Sequence, residues 1–313
     1  VLAGLEVIRR LNELDVATQA PLEIAVWTNE EGARFAPAML GSGAFAGVLD
    51  LDEALGRTDG EGTSVREALD QIGYAGPVEV GGRPLGAHFE LHIEQGPVLE
   101  RESVTIGVVT GVQGIRWYDL ELEGAEAHAG PTPMHLRRDP VPVAARALEA
   151  IFEIARQRGP AARATVGQLH SEPSSRNTVP RWVRASVDFR HPETSVLDEM
   201  ETELRSLSQA LGGGGVRAGL NRIWDSEPVS FDPDCVAAVR SSADRLGHPH
   251  LDIVSGAGHD SVYLARVAPA AMIFVPCEGG VSHNEAENAA KEDIAAGADV
   301  LMSAALAVAR VAR

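Results

Sequence analysis

The side chains able to do chemistry in this sequence fall in a few short strings. Glu30 and Glu31 stand together in NEEGARF (29–35). His92 sits in LHIEQG (91–96), just ahead of Glu94 and Gln95; His128 lies in EAHAGPTPM (126–134) and His283 in VSHNEAE (281–287). His259 and Asp260 adjoin in SGAGHDS (255–261), Asn177 lies in SSRNTVP (174–180), and Arg190 ends WVRASVDFR (182–190), two residues after Asp188. Adjacent carboxylates leaving a strand point in different directions, so one can hold a cation while the other handles a proton. A histidine at a strand end near a carboxylate suits a ligand with a supporting partner. An arginine fork suits two-point contact with a carboxylate. Each string taken alone has a plainer explanation: a solvated acidic turn, an exposed edge histidine, a loop histidine without a role, a surface ion pair between Asp188 and Arg190. Taken together, separate strand ends deliver Glu-Glu, His and His, with either His259 or His283 able to serve. Nitrogen and oxygen donors without cysteine fit a hydrolytic Zn, Mn or Co site better than a structural zinc.

The elements that must position these groups follow from periodicity. Leu2, Leu5, Ile8 and Leu11 recur at helical spacing, so residues 1–14 read as a helix. PLEIAVW (21–27) reads as a buried strand that ends just before Glu30 and Glu31, at the edge where open α/β sheets bind ligands. HFELHIE (88–94) alternates, with Phe89, Leu91 and Ile93 on one side and His88, Glu90, His92 and Glu94 on the other. From about residue 107 the pattern becomes strand 116–124, helix 140–158, strand 163–170, strand 182–190, helix 193–211 and a closing strand after Gly212–Gly215. That β-α-β-β-α-β order belongs to a ferredoxin-like sandwich. Residues 225–313 return to α/β style, with a helix from Pro233, strands in LDIVSGAGHD and AAMIFVP, and a long helix over 290–312. The expected division is a catalytic α/β domain in two parts, 1–107 and 225–313, carrying an inserted domain at 108–224.

The chain has 313 residues, with 27 basic and 45 acidic side chains and a formal charge of −18. Bulk charge of that sign disfavours a nucleic-acid partner, and no apolar run is long enough to span a bilayer. Cys235 and Cys277 cannot make a disulfide framework, which fits a reducing cytoplasm. Lys291 is the only lysine, which nearly excludes lysine-based catalysis. The sequence opens inside an amphipathic helix with no residue to cap it, as expected of a chain whose upstream part is missing.

In order and over its whole length, the chain resembles the M20-type dimetal amidohydrolases: N-carbamoyl-L-amino acid hydrolases, allantoate amidohydrolases and β-ureidopropionases. The strings that carry the resemblance are NEEGARFAPAMLGSGAFAG (29–47), HFELHIEQGPVLE (88–100), GVQGIRW (111–117) with EGAEAHAGPTPM, RNTVP with VDFRHP, SGAGHDS and VSHNEAE. HIEQGP is specific to this branch. The resemblance implies a metallopeptidase-like α/β catalytic domain whose inserted ferredoxin-like α+β domain acts as lid and dimerisation surface. It implies Glu30 as general base, and Glu31, His92 and His283 as ligands to two divalent ions (Zn, Mn, Co or Ni). Gln95 would lie beside the site, and His128 would stabilise the transition state from the smaller domain, often across a homodimer interface. Asn177 and Arg190, with Arg116 as a further candidate, would grip the carboxylate of a small ureido substrate. The implied reaction takes an N-carbamoyl-L-amino acid to the amino acid, ammonia and carbon dioxide, with allantoate as the alternative substrate. Family members also carry a histidine and a metal-bridging aspartate ahead of the helix that begins here at Val1. This chain contains neither, so a non-catalytic dimerising relative is a third reading.

Overall fold

The computed structural model describes residues 1–311, a mixed α/β fold with several sheets. In chain order the first elements are α1 (Leu2–Glu13), α2 (Leu40–Phe45), α3 (Leu51–Leu55), α4 (Val65–Gln71), β1 (His88–Ile93), α5 (Val98–Glu102) and β2 (Ile106–Val112). There follow β3 (Gly114–Glu123), β4 (Ala127–His128), α6 (Val141–Arg156), β5 (Arg163–Thr165), β6 (Leu169–Glu172), β7 (Thr178–Val179), β8 (Trp182–His191), α7 (Thr194–Leu211) and β9 (Arg217–Ser226). The chain closes with β10 (Val229–Ser230), α8 (Pro233–Leu246), β11 (His250–Ser255), α9 (Asp260–Leu264), β12 (Ala270–Val275) and α10 (Lys291–Ala309). It forms two compact units, Val1–Val112 with the chain from Ser230 onward, and Gln113–Val229.

The first unit is built on a five-stranded sheet ordered β1-β12-β2-β10, with β11 also on β2. Every residue of β12 (AAMIFV) is buried, as an uninterrupted apolar run requires of a central strand. β1 is the edge, and its alternation puts the two sides of the strand to different uses. Leu91 meets α10 at Gly297, where a Cβ would sit 2.7 Å from the leucine side chain; the opposite side carries His88, Glu90 and His92 toward α9. β1 and β12 run parallel, with Ile93 opposite Val275. The chain therefore leaves both strands at the same edge, which brings residues near 95 and near 283 together. Local caps fix the helices as the sequence suggests. Asp232 accepts from the backbone N–H groups of Asp234 and Cys235 ahead of Pro233, and Ser64 with Glu67 closes a capping box on α4.

Two expectations are corrected here. Residues 21–27 form no strand, and Val26 is 70% exposed. An apolar run becomes a strand only where a neighbouring backbone completes its hydrogen bonds. Among the described residues nothing pairs with it; Ile24 rests on Gly4 of α1, and Glu23 pairs with Arg83. In α1 the buried residues are Val7 and Leu11, while Leu2 and Leu5 are exposed.

The second unit is a two-layer sandwich. Its main sheet is ordered β5-β8-β3-β9, with β6 also on β8 and every pairing antiparallel. Alternate residues of β3 (Tyr118, Leu120, Leu122) and β8 (Val183, Val187, Phe189) pack with Ile151 of α6 and Met200 and Leu204 of α7 in one core. The other side of the sheet carries Trp117 and Trp224, opposite each other in the ladder. No helix among the described residues is long and apolar enough to cross a membrane.

Candidate active site

Glu30 and Glu31 lie in a loop that Asn29 holds shut. The Asn29 side-chain amide donates to the carbonyls of Phe35 and Pro37, at 2.7 and 3.1 Å, and its Oδ1 accepts from the Phe35 N–H. The loop ends where α2 begins, with Gly41 so close to Thr28 that a Cβ would come within 2.7 Å of its backbone nitrogen. Glu31 is exposed and Glu30 half-buried. Burial raises the Glu30 carboxyl above the usual range, and Glu31 and Glu90 raise it further, while His92 and His283 pull the other way. These groups lie within electrostatic reach of Glu30, and a raised carboxyl suits a general base working near neutral pH.

His92, near the end of β1, points Nδ1 at its own neighbour's carbonyl, Ile93, at 2.8 Å. A carbonyl only accepts, so Nδ1 carries the proton and Nε2 keeps its lone pair. That is the tautomer a metal-ligating imidazole needs. Glu94, which shares its side of the strand, is no partner to His92. It is buried and accepts from the N–H groups of Val98 and Leu99, capping α5. Gln95, with φ +57°, turns its amide to Ser282 Oγ at 2.9 Å and His283 Nε2 at 3.5 Å. The structure thus brings Gln95 and His283 together as the parallel strands dictate, and the His283 backbone N–H is tied to Glu287.

His259 does not lie at that edge. It folds over the face of the sheet, 1% exposed, with its ring 4.6 Å from that of His92 and 5.7 Å from Phe274. Burial, and His92 beside it, lower its pKa to about 4 against the pull of Glu90, so it is neutral at physiological pH. The groups around it come from three separate elements, and their pairing is not legible in the sequence. Ser261 donates from both its N–H and its hydroxyl to Glu90, and Ser42 donates to Asp260. Against the cost of burial, the nearby His88 and His259 rings and the hydrogen bonds from Ser261 hold Glu90 at about 2. The one signal available was the alternation that puts His88, Glu90 and His92 on the same side of β1.

In the second unit, β4 and β7 set His128 opposite Thr178. The Gly130 N–H donates to His128 Nδ1 at 3.2 Å, which leaves the proton on Nε2 and makes that atom a donor. Asn177 is adjacent: its carbonyl accepts from the Ala129 N–H, while its side-chain Oδ1 accepts from Ser175 and Thr178, so its side-chain NH2 is the group left for a ligand. Arg190 lies on β8, a different sheet, and forks onto Asp188 with Nη2 at 2.7 Å. Arg116, expected near a substrate, is 3% exposed and surrounded by Asp198, Glu201, Asp225 and Glu227, with Glu201 also accepting from Tyr118. That arrangement ties α7 to β3 and β9 and leaves Arg116 to hold the fold.

The donor types around Glu30 suit a divalent cation, and the His92 tautomer supports this. Among the described residues, however, no three His, Cys, Asp or Glu side chains gather tightly enough to hold one ion.

The peptidase family M20/M25/M40 model matches residues 1–307, and the chain belongs to that family. It is 47% identical to an N-carbamoyl-L-amino-acid amidohydrolase of Rhizobium meliloti, over 99% of this chain and 75% of that protein. It is 34% identical to an allantoate amidohydrolase of Bacillus subtilis, over 92% and 70% respectively. A crystal structure of an amidase of the hydantoinase/carbamoylase family from Burkholderia multivorans superposes with a TM-score of 0.96 at 54% identity, covering 99% of this chain and 75% of that one.

Proposed function

We propose that this chain belongs to a metal-dependent amidohydrolase that cleaves the ureido C–N bond of an N-carbamoyl-L-amino acid, giving the amino acid, ammonia and carbon dioxide. The observation that carries the reading is the half-buried Glu30, its carboxyl raised, set among Glu31, His92 and His283. Two divalent ions (Zn, Mn, Co or Ni), held in part by Glu31, His92 and His283, would supply an acidified water and polarise the carbonyl. Glu30 takes the proton from the attacking water and hands it to the leaving nitrogen. His128, with its proton on Nε2, donates to the oxygen that gains charge. Arg190 and the Asn177 amide hold the substrate carboxylate, and Gln95 braces His283. The unit Gln113–Val229 serves as lid and as the surface of a homodimer, and the enzyme works in the cytoplasm.

Allantoate offers the same carboxylate and ureido group and is the second candidate. The lack of a three-ligand cluster among the described residues favours a non-catalytic dimeric relative; a positioned general base argues for the enzyme. The test is hydrolysis by the full-length protein, stripped with chelator and reloaded with Zn, Mn, Co or Ni. Release of ammonia from carbamoyl amino acids supports the reading, and preference for allantoate supports the second. No turnover of either, or of carbamoyl-β-alanine, with any metal overturns both.

A further inference from the structure

The first turn of α9 is fixed from three directions. A helix start is ordinarily capped by the side chain of its own N-cap residue; here that residue is His259, and it makes no such bond. Its Nε2 is turned instead to Ser255 Oγ at 3.0 Å. The Ser255 hydroxyl gives its proton to the Ala257 carbonyl and also accepts from the Ala257 N–H. His259 must therefore be the donor, with its proton on Nε2. The next residue, Asp260, accepts from Ser42 of α2. The third, Ser261, gives its N–H at 3.1 Å and its hydroxyl at 2.6 Å to the same Glu90 oxygen. With its proton committed to Glu90, Ser261 Oγ accepts from His88 Nε2 at 3.0 Å. A directed chain results, His88 to Ser261 to Glu90, and it closes on the strand that carries His92.

Glu90 thus does for α9 what its own N-cap residue does not, and does so from another element. The consequence falls on His92. The His259 ring packs against the His92 ring at 4.6 Å and both lie against Phe274, so the seat of His259, two residues before Ser261, bears directly on His92. We propose that Glu90 is a positioning residue for His92: by holding Ser261 it seats the His259 ring behind His92 and keeps His92 Nε2 aimed outward. Glu90 touches neither substrate nor metal in this scheme. The inference deepens the metal-hydrolase reading, on which the role given to His92 rests.

The test compares Glu90→Gln, Glu90→Asp and Ser261→Ala with the unaltered full-length protein. Glutamine keeps the shape but weakens the two-donor contact; alanine at 261 removes the hydroxyl alone. Losing a partner behind a ligand ordinarily lowers metal affinity or turnover by about 10- to 100-fold. Glu90→Gln and Ser261→Ala should therefore weaken Co(II) binding and lower kcat on that scale, with KM within about threefold, and alter the visible spectrum of the Co(II) form. A partial return in Glu90→Asp is expected. Ring 15N shifts of the metal-free protein, which need no activity, should show His92 and His259 each in one tautomer in the unaltered protein and averaging between tautomers in Glu90→Gln. Losses that only track a fall in Tm, with ring shifts and cobalt spectrum unchanged, would make Glu90 a merely structural residue and overturn the proposal; so would unchanged Co(II) affinity in well-folded variants. If the unaltered protein hydrolyses no ureido substrate, the function reading fails, while the ring shifts and Co(II) titration still decide the role of Glu90.

Discussion

Replacing Asp260 by asparagine should stabilise the metal-free protein at high pH and change little at low pH. Asp260 is 4% exposed and takes a hydrogen bond from Ser42. Burial pushes its carboxyl up to about 7, and the charges of Glu90 and Glu30 add to this against the Ser42 bond and His88. An unfolded chain ionises the same group near 3.8, so the folded state binds the proton more tightly. The stability this gives is fully present below about pH 4 and is lost as pH rises through about 7. A shift of some three units corresponds to roughly 4 kcal/mol, an upper figure because a buried carboxylate recruits water and relaxes its surroundings. Asparagine is neutral throughout and still accepts from Ser42, so the variant lacks this loss. Urea unfolding with chelator present, at pH 5 and at pH 8, measures the effect; chelator matters because bound cations nearby would favour the ionised form. The variant should gain on the unaltered protein by a few kcal/mol between the two pH values. Parallel pH dependences for both proteins would refute the reasoning and show that Asp260 is ionised in the fold at little cost.

Glu30→Gln in the full-length enzyme should keep its metal and lose about two to four decades of kcat, since the amide cannot take a proton; metal content and initial rates check this, and near-normal turnover removes Glu30 from the role. Arg190→Ala should lower kcat/KM for substrates with a free carboxylate by about 10- to 100-fold, the scale of one charge-assisted contact of about 1.5–3 kcal/mol. Substrates capped as amides should respond little; equal losses on both would show that Arg190, paired with Asp188, supports the fold and not recognition. If His128 serves the neighbouring subunit of a homodimer, mixing inactive His128→Ala and Glu30→Gln proteins should restore part of the activity in verified heterodimers, and no recovery would place its action within one chain.

How far such groups can be read from sequence depends on where in an element they sit. His92 and Gln95 stand at and just past the end of β1, ahead of Gly96 and Pro97, and His283 stands in the loop that follows Gly279 and Gly280; chemistry at a strand end is conspicuous because the strand's alternation stops there. The alternation of WVRASVDFR survives as alternating burial in the folded chain because that strand has one buried side to satisfy, whereas every residue of β1 is half-buried, with Leu91 against α10 and His88, Glu90 and His92 toward α9. PLEIAVW failed for the complementary reason: periodicity reports apolarity, while a strand also needs a partner, and none pairs with it among the described residues. A lone arginine in a strand, such as Arg116, looks the same in sequence whether it faces a ligand or, as here, four carboxylates from α7, β9 and the residue just past β9. The residues that aim the site were missed for a third reason. Glu90 and Ser261 are 171 positions apart and Ser42 and Asp260 are 218 apart, and each sits within an ordinary run of its own element. A group that performs chemistry must break the pattern of its strand to reach a ligand, whereas a group that holds another in place can obey the pattern and still decide where a ring nitrogen points. Partners of the second kind become visible only when hydrogen-bond donors and acceptors are counted in the folded chain, which is how the tautomers of His92, His128 and His259 were assigned.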